Sequence, residues 1–325
     1  MRKVRLAIVG FDQVGQSLME AVEQHEDLVI QHIFSRQSKQ DLPKYLQTLP
    51  IHSMEQIINF KESIDVLIVC SGSTYDNPEN LSEYAADFNL VDAYNFYAKP
   101  ALLLKTIDSI SQVHHKLAVI GVGWNPGLYT VNQLLAEAVM PQATNYHFVE
   151  NEWSQKMSET IFSLEGVAEA NVYLKASPQS LQSVLDGEQP DLGFSDYQER
   201  VAYLVLEEGV DPDRIEDQLQ ALPNFLSQAE MRLHFTTSDQ LAKLSKEVQA
   251  GRLIRTAIAN EEVTIYDLTL SFNQPRLNQA NLLLAYARAV YRLASEGRAG
   301  ALTQLDVPVS YLSKYTRQEL LDKYL

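Results

Sequence analysis

The 325-residue sequence has one cysteine, few glycines and a shortage of basic side chains. A single cysteine, Cys70, excludes an internal disulfide and favours a reducing compartment. The 26 lysines and arginines against 42 aspartates and glutamates give a formal net charge of −16, which repels nucleic acid and anionic membrane surfaces. The sequence also lacks a membrane-spanning apolar run and a signal-peptide pattern, so we expect a cytoplasmic protein.

The length and a hydrophobic content of 46% suffice for two cores. In the first third, helical segments alternate with short apolar strands, which are predicted at residues 5–9, 28–34, 63–70, 89–94 and 116–121. This alternation predicts a Rossmann-type, doubly wound α/β domain with a parallel sheet covered on both faces. After Gly127 the pattern predicts a second, α+β domain. We place the first domain at residues 1–122, with the tail 302–325 packing back on it, and the second at 123–301.

A nucleotide-binding turn is indicated by the segment Ile8-Val9-Gly10-Phe11-Asp12-Gln13-Val14-Gly15. It stands between a predicted strand and a predicted helix, as a dinucleotide fingerprint does, but Asp12 replaces the middle glycine. Gly10 suits the tight turn, and the free N–H groups of the following helix suit a pyrophosphate. We therefore predict cofactor contacts at Gly10, Asp12, Gln13 and Val14, and we expect the Asp12 carboxylate to weaken them.

The end of the second strand indicates which dinucleotide would bind. An NAD-preferring fold usually has Asp or Glu at this point, whereas this chain has Ser35 and Arg36. A hydroxyl and a guanidinium suit a 2′-phosphate. NADP(H) is therefore the predicted cofactor.

Short blocks further along the chain resemble one enzyme family. They are Ile33-Phe34-Ser35-Arg36, Cys70-Ser71-Gly72-Ser73 with Asp76, Asp92-Ala93-Tyr94-Asn95, Gly123-Trp124-Asn125-Pro126-Gly127, Ser154-Gln155, Arg214-Ile215-Glu216 and Gly300-Ala301-Leu302-Thr303. In order and near-constant spacing they resemble the meso-diaminopimelate dehydrogenases, NADP-dependent enzymes of bacterial lysine metabolism. The resemblance covers essentially the whole chain.

This resemblance implies oxidative deamination of the D-configured centre of a diamino diacid, or reductive amination of the keto acid. It implies a homodimer, with the second domain binding substrate and forming the dimer. Further cofactor contacts are implied at Cys70, Ser71, Gly72 and Ser73. Catalytic positions around the D centre are implied at Asn95, Trp124 and Asn125, and substrate contacts at Gln155, Arg200 and Asn260.

Several positions depart from the family pattern. Asn95 and Asn125 stand where the family has aspartates, and Tyr97 where it has a histidine. A neutral hydrogen bond in place of a charge-assisted one loses about 1 kcal/mol or more per contact. Two alternatives therefore stay open: a relative that binds a ligand without turnover, and a dehydrogenase for a less cationic substrate. His114 and His115 come with no third ligand in view, so no metal site is predicted.

Overall fold

The computed structural model describes residues 2–11, 13–36, 48–70, 78–93, 99–124, 127–150, 152–220, 231–244, 249–259 and 262–325. The chain divides into two compact units. The first consists of Met1–Asn132 and Arg276–Leu325, and the second of Gln133–Pro275. Among the described helices, none has the length and apolar character needed to cross a membrane.

The first unit is built on a sheet of seven strands in its described part. These are β1 (Val4–Val9), β2 (Leu28–Ser35), β3 (Ile51–Ser53), β4 (Val66–Val69), β5 (Leu90–Asp92), β6 (Leu117–Ile120) and β14 (Gly300–Thr303). They lie in the order β14-β6-β5-β4-β1-β2-β3, and every neighbouring pair is parallel. The predicted Rossmann-type sheet is thereby confirmed.

Helices cover both faces of this sheet. On the two faces pack α1 (Gln13–Ala21), α2 (Pro78–Asp87), α3 (Pro100–Val113) and α10 (Pro275–Ser295). The unit also contains the start of α4 (Leu128–Val139), α11 (Val309–Leu312) and α12 (Arg317–Tyr324). Alternate residues of β1 point to opposite faces. Leu6 and Ile8 enter a core with side chains of α1 and α10, whereas Ala7 and Val9 enter a core with side chains of α2 and α3.

The long helix α10 belongs to the first unit, although the predicted boundaries gave residues up to 301 to the second domain. Its side chains Leu283, Leu284 and Ala287 are fully buried in the same core as strand β1. On the same helix, Arg288 forms an ion pair with Asp27 at 2.5 Å and is only 3% exposed. The buried face of this helix therefore packs on the sheet of the first unit.

The described part of the second unit contains two smaller sheets, so the predicted α+β class is confirmed. The strands are β7 (Thr144–Glu150), β8 (Glu152–Trp153), β9 (Val167–Ala176), β10 (Gln198–Leu206), β11 (Met231–Phe235), β12 (Gln249–Ala259) and β13 (Glu262–Phe272). Their orders are β11-β10-β9-β8 and β13-β12-β7. The helices are α5 (Gln155–Phe162), α6 (Pro178–Leu185), α7 (Phe194–Tyr197), α8 (Pro212–Gln220) and α9 (Ser238–Leu244).

A chain of hydrogen bonds joins two histidines near the edge of the first unit's sheet. The Ser63 hydroxyl donates to the carbonyl of Phe60 at 2.7 Å, so its oxygen is left to accept from His32 Nε2 at 3.0 Å. His32 Nδ1 then accepts from His52 Nε2 at 3.3 Å. Burial, followed by the proximity of His52, lowers the pKa of His32.

We predict that the free energy of unfolding decreases as the pH falls below about 6.5, the ordinary pKa of histidine. The unfolded chain binds a proton at His32 more readily than the folded chain, so acid favours unfolding. The H32Q variant should show a smaller loss of stability between pH 7.5 and pH 5.5 in urea titrations. H114Q, at an exposed histidine, is the control. Equal pH dependence of H32Q and wild type would contradict this prediction.

Candidate functional site

Hydrogen bonds just beyond the strand ends align the carboxyl edge of the parallel sheet. Peptide N–H groups donate to the adjacent strand in the pairs Gly10 to Phe34 O (2.9 Å), Cys70 to Val9 O (2.8 Å), Ala93 to Val69 O (3.0 Å) and Val122 to Asp92 O (2.8 Å). The segments that leave β1, β2, β4, β5 and β6 therefore start along one edge. Open α/β sheets bind their ligands at this edge.

The predicted nucleotide turn begins at this edge. Gly10 has a φ of 86°, a conformation that favours glycine. A Cβ atom on Gly15 would lie 2.5 Å from the Gly10 carbonyl oxygen, so helix α1 packs closely on the turn. The helix begins at Gln13, and its first turn contains no acidic residue. Its N-terminal N–H groups are thus in the position predicted for binding a phosphate.

Arg36 follows the end of β2 at the same edge. Its side chain is exposed, whereas Ser35 is only 7% exposed. The backbone of Phe34 is hydrogen-bonded to Gly10, which puts the turn and Arg36 on adjacent strands. Arg36 therefore supplies an exposed positive charge beside the turn, and the buried Ser35 is the less accessible of the two predicted contacts.

The Trp124 loop, which comprises residues 123–127, follows strand β6. Trp124 forms a β-bridge with Gly127, and its ring lies 5.7 Å from that of Tyr129. Gly127 has a φ of 145°, and a Cβ atom there would lie 1.9 Å from the Gly123 carbonyl oxygen. The loop conformation therefore requires glycine at position 127, and it leaves Trp124 half-buried.

A cavity of about 370 Å³ adjoins this loop. Its lining is mostly apolar and comes from the ends of β6 and β14 and from α3 and α4: Pro100, Ala101, Leu104, Ile120, Gly121, Gly127, Thr130, Thr303, Gln304 and Leu305. Gln304 is the largest polar side chain among these residues and is only 3% exposed.

The remaining predicted residues are distributed as follows. Cys70 is buried at the end of β4. In the second unit, Gln155 begins helix α5, and Arg200 lies on β10 at 8% exposure. Arg200 shares a strand face with the fully buried Ala202 and Leu204. Seven predicted site residues lie outside the described residues: Asp12, Ser71, Gly72, Ser73, Asn95, Asn125 and Asn260.

Comparison with known proteins decides the family. The protein-family model described as the diaminopimelic acid dehydrogenase C-terminal domain matches residues 123–273. A meso-diaminopimelate D-dehydrogenase of Acetivibrio thermocellus is 32% identical over 324 residues, which are 98% of this chain and 97% of that protein. The chain belongs to the meso-diaminopimelate D-dehydrogenase family.

Two solved structures share the fold over nearly the whole chain. A meso-diaminopimelate dehydrogenase mutant from Clostridium tetani E88, solved with diaminopimelate, is 29% identical, with a TM-score of 0.85 and coverage of 99% of this chain and all of that one. An engineered D-amino acid dehydrogenase bound to NADP+ is 23% identical, with a TM-score of 0.78 and coverage of 99% of this chain and all of that one. This second likeness supports the fold alone.

Sequence reasoning missed Gln304, which contacts the start of the Trp124 loop. Its side-chain oxygen Oε1 accepts a hydrogen bond from the Gly123 N–H at 2.8 Å. The available signal was the pattern Thr303-Gln304-Leu305-Asp306, in which a threonine and an acidic residue three positions later cap a helical turn. That pattern predicts the turn, but not the contact across the fold.

We predict that G127A destabilises the protein by at least about 3 kcal/mol, because the methyl group adds a backbone overlap to the strain of a positive φ. G297A is a matched control in the same unit, since its φ is 87° and nothing lies within 4 Å of the added atom. The free energy of unfolding of G297A should be lower than that of wild type by only about 1–2 kcal/mol. Urea unfolding measures the stability of both variants. Equal losses of stability in G127A and G297A would contradict the loop geometry.

Proposed function

We propose that this protein is an NADP(H)-dependent dehydrogenase that acts on the D-configured centre of an amino acid. The main support is its 32% identity, over nearly the full length of both chains, to a meso-diaminopimelate D-dehydrogenase. The described site agrees with that chemistry, because the Gly10 turn, Arg36 and the Trp124 loop start from one edge of a parallel sheet.

The residues at this edge fit a dinucleotide phosphate. The N-terminus of α1 offers peptide N–H groups and a positive helix-dipole end. Asp12 directly precedes this helix, and its carboxylate is expected to weaken the contact with a phosphate by charge repulsion. The close contact between Gly15 and Gly10 keeps the helix end near the strand. The exposed guanidinium of Arg36 would bind the 2′-phosphate that distinguishes NADP(H) from NAD(H).

NADP+ bound at this edge would supply the acceptor for a hydride from the D-configured Cα. Water would then replace the amino group, with release of ammonium and one proton. Trp124 supplies an apolar indole surface for the substrate chain. Arg200 supplies a buried positive charge for a substrate carboxylate, a stronger interaction than the same pair in water. We assign further substrate contacts to Gln155 and Asn260, and contacts around the D centre to Asn95 and Asn125.

The two asparagines favour a second candidate within this function, a substrate less cationic than meso-diaminopimelate. A carboxylate stabilises an ammonium group by charge, whereas an asparagine offers a neutral carbonyl and two N–H donors. Loss of charge at positions 95 and 125 therefore weakens selection for a substrate that carries two ammonium groups. A D-amino acid or an imine with one charged amino centre is the class that this change suits.

We propose a cytoplasmic homodimer formed through the second unit. Strand β13 is the edge strand of its described sheet, and three apolar side chains on one face of the β12–β13 hairpin are exposed: Ile258 (53%), Val263 (45%) and Ile265 (38%). Ile258 lies directly opposite Val263. Exposed apolar side chains on an edge strand favour pairing with another chain.

The cofactor assignment predicts that R36A raises the Kd for NADPH about tenfold and leaves the Kd for NADH unchanged, because the lost contact is to the 2′-phosphate. Calorimetric titration of both dinucleotides measures the effect. R298A removes an exposed arginine of the same unit and is the matched control. An equal loss for both dinucleotides would contradict the role of Arg36, and failure of wild type to bind either would contradict the proposed function.

The substrate assignment predicts NADPH formation and ammonia release with D-amino acids or meso-diaminopimelate, and none with L,L-diaminopimelate, which lacks a D centre. The double variant N95D/N125D should raise kcat/KM for meso-diaminopimelate by about one to three powers of ten, since each restored charge adds about 1 kcal/mol or more. If NADPH binds but neither enzyme oxidises any D-amino acid, the chain is a binding protein without turnover.

A further inference from the structure

We propose that Gln304 and Gln279 are positioning residues that together fix the start of the Trp124 loop. They come from the turn after β14 and from helix α10, and both bind the two-residue segment that precedes Trp124. The proposal rests on the proposed function for the role of Trp124. The positioning itself follows from contacts within the first unit.

The two side chains bind opposite polar groups of adjacent residues. Gln304 Oε1 accepts from the Gly123 N–H at 2.8 Å, and Gln279 Nε2 donates to the Val122 carbonyl at 3.1 Å. These contacts determine the orientation of each amide, because rotating either one would oppose two donors or two acceptors. The backbone immediately before Trp124 is thereby held from two separate elements.

Gln304 is itself held rigidly. Thr303 caps the turn Gln304–Asp306: its backbone N–H donates to Asp306 Oδ2 at 2.8 Å, and its hydroxyl accepts from the Leu305 N–H at 3.2 Å. The phenol of Tyr286, on helix α10, donates to the Gln304 carbonyl at 3.2 Å. Burial raises the pKa of that phenol to about 12, so it remains a donor at neutral pH.

Each glutamine also keeps one buried polar atom without a hydrogen-bond partner among the described residues, Nε2 in Gln304 and Oε1 in Gln279. A buried amide that satisfies only half of its groups gives little net stability. Here each glutamine amide instead determines where a backbone segment lies. An unsatisfied buried polar atom costs free energy, and residues that keep such an atom are typical of functional sites.

The segment that the two glutamines bind lies beside the cavity described above. Gly121 and Gly127, on either side of the loop start, both line the cavity of about 370 Å³. The two glutamine hydrogen bonds therefore hold the backbone beside this cavity.

The test uses Q304M and Q279M, which keep an unbranched side chain of similar length but remove the amide. In a W153F background Trp124 is the only tryptophan of the chain, so its fluorescence reports the loop directly. We expect a red-shifted emission in both variants and a kcat about tenfold lower with a D-amino acid, because a displaced Trp124 would misplace the substrate chain and small misplacements reduce the rate strongly. KM for the dinucleotide should not change.

Q318M is the matched control, since Gln318 is an exposed glutamine of α12. Q304E keeps an acceptor oxygen for the Gly123 N–H and should restore most of the wild-type emission. Wild-type emission and kcat in both Q304M and Q279M would overturn the proposal. If wild type oxidises no D-amino acid, the proposed function fails separately, and the emission alone decides: a red shift supports the positioning role, and no shift overturns it.

Discussion

The shared direction of the seven strands is the constraint on which the candidate site depends. Because every described pair in the sheet is parallel, all the strands end at one edge, and the segments that follow them start side by side. Residues separated by many positions in the sequence, such as Gly10, Arg36 and Trp124, follow ends of the same sheet for this reason. An antiparallel pair would have sent one of these segments to the opposite edge.

Local pattern was sufficient for the strands that lie deepest in the first unit. The strand predicted at 116–121 is observed as β6 (Leu117–Ile120), and the strand predicted at 28–34 is observed as β2 (Leu28–Ser35). The strand predicted over 63–70 is shorter, because Met54–Ser63 forms a 3-10 helix capped by Ser53. The positions of apolar residues alone do not predict the boundary between such a 3-10 helix and the following strand.

Features that depend on contacts between distant residues were not predictable. The β12–β13 hairpin was missed, since its outer strand is largely exposed and lacks an apolar run. The predicted boundaries assigned α10 to the second domain, because its sequence does not indicate which core its apolar side chains enter. The turn was found from its motif spacing and the Trp124 loop from the family resemblance. Gln304 and Gln279, in contrast, contact residues 181 and 157 positions away. A local sequence pattern does not predict a contact between residues so far apart in the chain.

The central claim is that the carboxyl edge of the first unit's sheet binds NADP(H), and hydrogen–deuterium exchange with and without NADPH tests it most directly. The account predicts slower exchange on binding in peptides covering residues 10–15, 35–36, 70 and 122–124. Peptides at the opposite edge, covering residues 25–28 and 114–117, should be unchanged. Protection confined to the opposite edge or to the second unit, or no protection at saturating NADPH, would contradict the account.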